Sequence, residues 1–269
     1  MKPHFVFKTP RCTGDSTRGR IEFSAGSLSN RAQLFLDSNV TGEIRTLDEI
    51  DIEVVSFDPS SNSVYSFPAF KGIVSQILPR GDSVLVEAVT FASHLLVTPS
   101  SPRAWSNVTV FDVFRDLLSS SKVGLSDLNV PDGFGTRFLH VWDTNGGTIA
   151  DEILALFAMN LPGVQAFASF LGKILVGDRS QLGRLLQFWP FPSDAAGSPV
   201  GRGIVDTDAS VFSLRPACPH QVAYEIDGTS FLGTIDSVLH EIRPGRAQTV
   251  VVLDRRPDSD LESHLAEYA

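Results

Sequence analysis

Some stretches of the sequence bring together residue types that could do chemistry. Asp143-Thr144-Asn145-Gly146-Gly147 opens like a calcium-binding loop. Such a loop needs Gly at its sixth position and a bidentate Glu at its twelfth. Counted from Asp143, those positions hold Thr148 and Leu154. The ligand that would complete the cation's shell is missing, and the stretch reads as a turn leading into a helix. Paired carboxylates are a second possibility, because glycoside hydrolysis uses two carboxyl groups roughly 5 to 9.5 Å apart in a cleft. Asp151 and Glu152 are adjacent on a predicted helix, so they point about 100° apart. Glu225 and Asp227 alternate near a predicted strand end and can share one face. That arrangement is ordinary on protein surfaces.

A serine nucleophile is a third. Gly81-Asp82-Ser83 resembles the start of the motif of GDSL-type hydrolases, in which the Ser follows a strand and a His arrives late in the chain. Here Ser83 opens a strand after the turn Pro79-Arg80-Gly81-Asp82, and Asp260 and His264 stand four apart where that family uses three. No Gly-x-Ser-x-Gly elbow is present. The same turn explains the Arg80-Gly81-Asp82 tripeptide. Cys12 and Cys218 are the only cysteines, neither in a CxxC, and the His residues are scattered. They read as unpaired thiols in a reducing compartment, with no zinc site. Asn39-Val40-Thr41 and Asn107-Val108-Thr109 fit the glycosylation sequon but lack a secretory context. There is no phosphate-binding Gly loop or dinucleotide fingerprint. The reading is therefore a protein that is not an enzyme, with no catalytic, cofactor-binding or metal residues and no cofactor.

Composition agrees. A chain of 269 residues with 42% hydrophobic and 20% charged residues is long enough for one or two folded domains. No apolar run reaches the roughly 18 residues of a membrane helix, and Met1-Lys2-Pro3-His4 lacks the apolar stretch of a signal peptide. Synthesis in a cytoplasm and no membrane partner are expected. The formal charge of −9 repels phosphate backbones. It suits solubility, or a channel wall along which DNA slides without sticking.

The elements that would carry any site centre on Thr109–Asp178. Val110, Val113, Phe114, Leu117 and Leu118 recur with helical spacing over Thr109–Ser119, and Thr109 with Asp112 has capping-box spacing, with Asp in place of the usual Glu or Gln. Thr148 and Asp151 open a second helix whose stripe is Ile149, Ile153, Leu156 and Phe157. Asp151 and Glu152 lie in its first turn, where the dipole favours negative charge. Asn160-Leu161-Pro162-Gly163 ends it. Val164–Phe170 and Lys173–Val176 read as a hairpin through Gly172.

Before the helices, residues 20–98 read as β throughout. Strands are expected at Arg20–Ser24, Ala32–Asp37, Glu49–Phe57, Ser66–Leu78 and Ser83–Ala92, with turns at Asp58–Ser63 and Pro79–Asp82. Residues 1–19 carry Lys2, Lys8, Arg11 and Arg18 with little apolar periodicity and read as an arm or an edge strand. Thr98–Pro102 is a linker, Asp127–Thr136 a loop, and Arg137–Val141 a short strand ending at Trp142. Gln187–Gly203, rich in Pro and Gly, is a linker or exposed loop in which Trp189 and Phe191 either tuck inward or form a partner-binding tip. Val211–Leu214, Gln221–Ile226, Thr234–Ile242 and Ala247–Leu253 are candidate strands. Arg255–Ala269, with Asp258, Asp260, Glu262 and Glu267, is a solvated tail or a short helix.

The order helix, acidic-tipped helix, then Gln-Ala-Phe-Ala-Ser-Phe-Leu-Gly-Lys-Ile-Leu-Val-Gly-Asp at residues 165–178 resembles the central region of phage tail baseplate hub proteins. This is the late-control protein D family, to which the hub part of type VI secretion VgrG spikes is related. Asp-Glu-Ile-Asp-Ile-Glu-Val-Val at 48–55, Phe-Lys-Gly-Ile-Val at 70–74 and the Gly81-Asp82 turn look like that family's first barrel. The resemblance, spread over roughly residues 20–178, implies a mainly β (α+β) fold: two tail-tube-like β-barrel domains bridged by a small helical segment. It implies a first barrel at 1–98, a helical bridge at 99–163, a second barrel at 164–254 that begins with the hairpin and contains the 187–203 linker, and a charged tail at 255–269. The implied role is a structural baseplate hub in the virion. It would be a homotrimer whose barrels form a pseudo-six-fold ring, joining the tail tube to the central spike among other baseplate proteins, with DNA passing through unbound. Other readings are a tube initiator or distal tail protein and, in another class, a tail-associated glycan or cell-wall hydrolase.

Overall fold

The computed structural model describes residues 3–24, 27–38, 43–58, 62–121, 123, 128–129, 137–144, 146–168, 174–178, 187–190, 202–206, 221–226, 229–244 and 246–255. The first half is a run of strands: β1 (His4–Lys8), β2 (Thr13–Ser16), β3 (Gly19–Ser24), β4 (Arg31–Asp37), β5 (Glu49–Asp58), β6 (Ser63–Arg80) and β7 (Ser83–Val89). A short 3-10 helix, Phe91–Leu96, leads out of it. There follow β8 (Ala104–Thr109), α1 (Val110–Ser119), β9 (Leu128–Asn129), β10 (Phe138–Asp143), α2 (Ile149–Asn160), β11 (Val164–Ala168) and β12 (Ile174–Asp178). The last third supplies β13 (Gln187–Pro190), β14 (Arg202–Asp206), β15 (Gln221–Ile226), β16 (Thr229–Arg243) and β17 (Arg246–Arg255). Among the described residues no helix is long and apolar enough to cross a membrane.

Period-two patterning makes the strands. In β3 the inward Ile21 and Phe23 are buried, while Arg20, Glu22 and Ser24 face out. Twelve strands form one sheet, in the order β13-β15-β16-β3-β4-β7-β6-β5-β1-β2, with β17 beside β16 and β14 beside β17. The first seven strands curl back on themselves. β2 pairs with β1 and β3 pairs with β4, yet only Thr17 and Arg18 separate β2 from β3. At that corner Phe35 N donates to Arg18 O, and the Ser16 hydroxyl reaches Phe35 O at 2.8 Å. The roll encloses Phe5, Phe7, Ile21, Phe23, Leu34, Ile50, Ile52, Phe70 and Val86 in one core.

The N-terminal residues thus supply β2 as an edge strand, as expected, and also β1, which was not expected. In β1, Phe5 and Phe7 are fully buried. Their two-residue spacing, within His4-Phe5-Val6-Phe7-Lys8, was the available signal. The sheet does not end where the helices intervene. β16 returns and pairs with β3, Ser237 with Ser24 through Ile242 with Gly19, so the strands before and after the helices share one ladder.

The helices sit at the Ser24, Asn30 and Thr90 end of this sheet over a second core. Val113, Phe114, Leu117 and Leu118 of α1 meet Ile149, Ile153, Leu156 and Phe157 of α2. Both helices start and cap as expected, with reciprocal bonds between Thr109 and Asp112 and between Thr148 and Asp151. β8 is an addition to the expected elements. It pairs with β10 in a separate two-stranded sheet, and the expected linker before it bridges Pro99 to Thr148. The hairpin β11–β12 forms as expected, but its place differs. It lies outside the twelve-stranded sheet, in a three-stranded sheet with β9, because Ala166, Ala168, Ile174 and Val176 bury themselves in the helical core. Gln187–Pro190, expected as part of a loop, pairs with β15, and Arg202–Asp206, of which only Arg202 and Gly203 fell in that expected loop, pairs with β17. Val211–Leu214, Phe191 and the tail beyond Arg255 lie outside the described residues.

Candidate functional site

The loci that invited a chemical reading resolve into structural roles where the structure describes them. Asp143 ends β10, and Gly146 turns the chain with φ +82°. Gly146 N donates to Glu152 Oε1 at 3.0 Å, and Gly147 O accepts from Ser100 N. The loop's carboxylate partner is therefore Glu152, buried in the first turn of α2, and its work is to tie down backbone N–H. Asp151 is occupied with the Thr148 cap: Thr148 N and its hydroxyl donate to Asp151 Oδ2 at 2.9 and 2.7 Å. Those bonds, the backbone one first, hold the Asp151 carboxyl below the usual carboxylate range. Asp151 and Glu152 share no cleft.

Gly81 has φ +64° and makes the β6–β7 hairpin turn, where the Ser83 hydroxyl donates to Arg80 O. Ser83 is thus the first residue of β7, its hydroxyl tying off the turn. Asp260 and His264 lie outside the described residues, as does Asp227, so no triad or carboxylate pair is drawn from them. Cys12 is a half-buried free thiol beside the Thr9 hydroxyl. Among the described residues no group of three His, Cys, Asp or Glu could hold a metal ion.

A groove of about 320 Å³ runs over β1, β5 and β6, lined by Val6, Lys8, Thr13, Asp51, Glu53 and Lys71. Lys71 and Asp51 pair across it at 3.7 Å. It opens where β5 and β6 slip register between Ile52 and Glu53. Charged groups of both signs line it, with no nucleophile set against a base.

The organised polar features are of another kind: they fix elements to one another. Asp116 on α1 accepts from Trp105 Nε1 at 2.9 Å and from Arg103 Nη1 at 3.0 Å, both on the chain leading through β8. Partial burial pushes the Asp116 carboxyl up, but the bonds from Trp105 and Arg103 and the Arg103 charge together hold it below the usual range. The neighbouring Asp112 is held low by the Thr109 hydroxyl, then by the Thr109 backbone N–H, with Arg115 adding charge. Asn30 joins the two layers. Its side chain donates to Ala168 O at 2.8 Å and accepts from Ser24 N, while Ala168 N donates to Ser27 O. On the outer face of the sheet, Arg20, Gln33 and Glu87 form a hydrogen-bonded ladder across β3, β4 and β7. Of these, sequence reasoning had marked only the Thr109–Asp112 pair. For the others the only signal was alternation, which placed Arg20 and Gln33 facing outward without saying what they would meet.

What the arrangement offers is surface and rigidity. No known protein-family profile matches the chain, and no curated relative matches its sequence. Solved structures do match its fold. The 43 kDa tail protein of prophage MuSo2 from Shewanella oneidensis aligns with a TM-score of 0.67 at 11% identity, over 94% of this chain and 97% of that one. A tail protein from Neisseria meningitidis MC58 gives a TM-score of 0.65 at 10% identity, over 96% and 97%. An E. coli component of the type VI secretion system, itself described as structurally similar to T4 bacteriophage tail proteins, gives 0.57 at 10% identity, over 94% and 77%. Each is named as a tail or secretion-system component, and none is named as an enzyme. Along almost its whole length, the chain carries the fold of phage tail proteins.

Proposed function

We propose that the chain is a structural baseplate hub of a phage tail, working in the virion and performing no reaction. The observation that carries this reading is the match of fold over 94% of this chain and 97% of the Shewanella tail protein. The rolled strands β1 to β7 serve as the first tube-like barrel of residues 1–98, and the strands from β13 to β17 belong to the second, within 164–254. The helices and the segment around them, 99–163, are the bridge, and the charged tail follows Arg255, the last residue of β17.

The mechanism is geometric. Closed rings are built by repeating one interface. Three copies of a chain with two similar barrels present six similar edges to a six-fold tube and keep three-fold symmetry toward a spike. On this reading the partners are two further copies of the chain, the tail tube, the spike and other baseplate proteins. DNA passes through the ring without specific binding, and the net charge of −9 favours a wall that does not retain phosphates. The test is a reconstruction of the assembled tail. Three copies on the axis, between tube and spike, are expected. Six copies, or a place at the baseplate periphery, would overturn the reading.

A further inference from the structure

Among the described residues, three that are not Gly have a left-handed backbone: Leu47, Asn62 and Asn107. Asn tolerates that region, whereas Leu enters it only against the clash of its Cβ with the following carbonyl. Leu47, at φ +71°, is the third residue of the turn Arg45–Asp48, which Asp48 N closes by donating to Arg45 O at 3.2 Å. Turns that need this conformation at their third position take Gly or Asn there. Leu47 is also 61% exposed. One side chain thus carries two features that are both unfavourable in the isolated chain.

The fold imposes both. Leu47 N donates to Val74 O at 2.8 Å and Val74 N to Asp48 O at 2.9 Å, so the turn is stitched to β6. The Asp48 carboxylate accepts from Arg45 N at 2.9 Å and pairs with Arg11 Nε at 3.4 Å. Ile44, just before the turn, is buried in the core of the first strands. Backbone strain persists only where the surroundings over-determine it, and it gathers at sites of function. The bracing here produces a rigid apolar knob on a polar turn, with Glu43, Arg45, Thr46 and Glu49 exposed around it.

The groove over β1, β5 and β6 is a matching hole. Val6 and Pro68 give it apolar lining, and Lys8, Asp51, Glu53 and Lys71 ring it, around a volume of about 320 Å³ that admits a leucine side chain. The charges correspond. Arg45, beside the knob, suits Asp51 and Glu53 at the groove, and Glu43 and Glu49 suit Lys8 and Lys71. Leu47 does not reach this groove in its own chain. It is bonded to Val74, which lies about 20 Å along β6 from Pro68. A knob and a hole on one chain make a head-to-tail contact, the kind that repeats from copy to copy and closes a ring.

We propose that Leu47 of one copy seats in the β1–β5–β6 groove of the next copy, and that this contact joins the three copies of the ring. The contact rests on the hub reading for its number of copies. The strain at Leu47 then serves to hold the knob in the shape that the neighbouring groove receives.

The test uses purified assembled tails that carry the full chain with Cys12→Ser and Cys218→Ser. On mild oxidation, Leu47→Cys together with Pro68→Cys should link copies into a covalent trimer, and neither substitution alone should link any. Absence of the chain from the tails would overturn the hub reading and this contact with it. Presence in the tails without cross-links would overturn the contact alone. A product that stops at two chains, or one formed by Leu47→Cys alone, would overturn it in favour of a two-fold pair. A check free of cysteines uses Leu47→Asn, which relieves the backbone. It should raise the urea midpoint of the isolated chain and yet lower incorporation into tails by about tenfold or more. A lowered midpoint would mean that Leu47 packs within its own chain, and unchanged incorporation would mean that no neighbour seats it. Either result would overturn the proposal.

Discussion

Thr109 and Thr148 show how much a short pattern can carry. Each supplies a hydroxyl three residues before a carboxylate, and each helix begins there with both reciprocal bonds made. That much was legible, because a capping box is settled within four residues of chain. Thr109→Ala should cost about 1 kcal/mol, read as a lowered urea midpoint. An unchanged midpoint would remove the cap from the account. Asp116 was not legible, because its partners are Trp105 of β8, a strand that the sequence pattern did not mark, and Arg103 just before it. Its carboxyl is held low in the folded chain, so the sign of its pH effect is fixed. The stabilisation is fully present above the unfolded value near 3.9 and is lost as pH falls through the lower folded value. Asp116→Asn should therefore lower the urea midpoint at pH 7, and the gap to the parent should narrow below about pH 4. A gap constant from pH 7 to pH 3 would show that the charge on Asp116 is not the source of the stabilisation. Because Asp116 is substantially exposed, solvent screening keeps the effect small.

Among the elements, local alternation was enough to place β3, β4, β5, β7 and β15, and helical spacing to place α1 and α2. Partnership was harder to read. The hairpin β11–β12 has the letters of a strand pair wherever it packs. Only the shape of the helical core, which takes Ala166, Ala168, Ile174 and Val176, decides that it lies there. β6 raises a similar question of partners. Its first part pairs with β5 and its last part with β7, and the exchange falls at Ile73. Gly72 stands at that crossing, where an added Cβ would come within 2.1 Å of Val89 O. The sequence marked a Gly inside a strand, but the reason is the backbone of β7. Gly81, in the turn, has φ +64° and nothing within 4 Å of an added Cβ. Gly72→Ala forces two paired strands apart, whereas Gly81→Ala strains only a turn. Gly72→Ala should lower stability by about 1–3 kcal/mol or more, and Gly81→Ala by about 1–2 kcal/mol. Thermal or urea unfolding of the two variants would check the order. The reverse order would mean that β6 has room to shift away from β7 at this crossing.

For the whole molecule, the informative feature is that the strands before and after the helices are not independent. The family resemblance implied two barrels with a bridge between them, and a bridge alone would let the halves unfold separately. Instead β16, from the later half, is hydrogen-bonded to β3 through six residue pairs, and it sends Ile242 into the core of the first seven strands. This could not be read from the letters, since Thr234–Ile242 looks the same whichever strand it meets. The helical layer is fastened to the same sheet by Asn30, Ser27 and the buried Thr90. Continuity of ladder and core predicts one cooperative transition, reported alike by far-ultraviolet dichroism of the sheet and, with Trp189 of β13 replaced by Phe as the parent background, by fluorescence of Trp105 and Trp142 in the helical layer. Ile242→Ala sharpens the test. The side chain is 1% exposed, and truncating a buried Ile costs about 2–5 kcal/mol. Because that residue belongs to the later half by sequence and to the first core by packing, both signals should move together to lower denaturant. If dichroism and fluorescence separate in the parent chain, or if Ile242→Ala shifts one and leaves the other, the β16–β3 junction is a contact between two folding units and not a shared core.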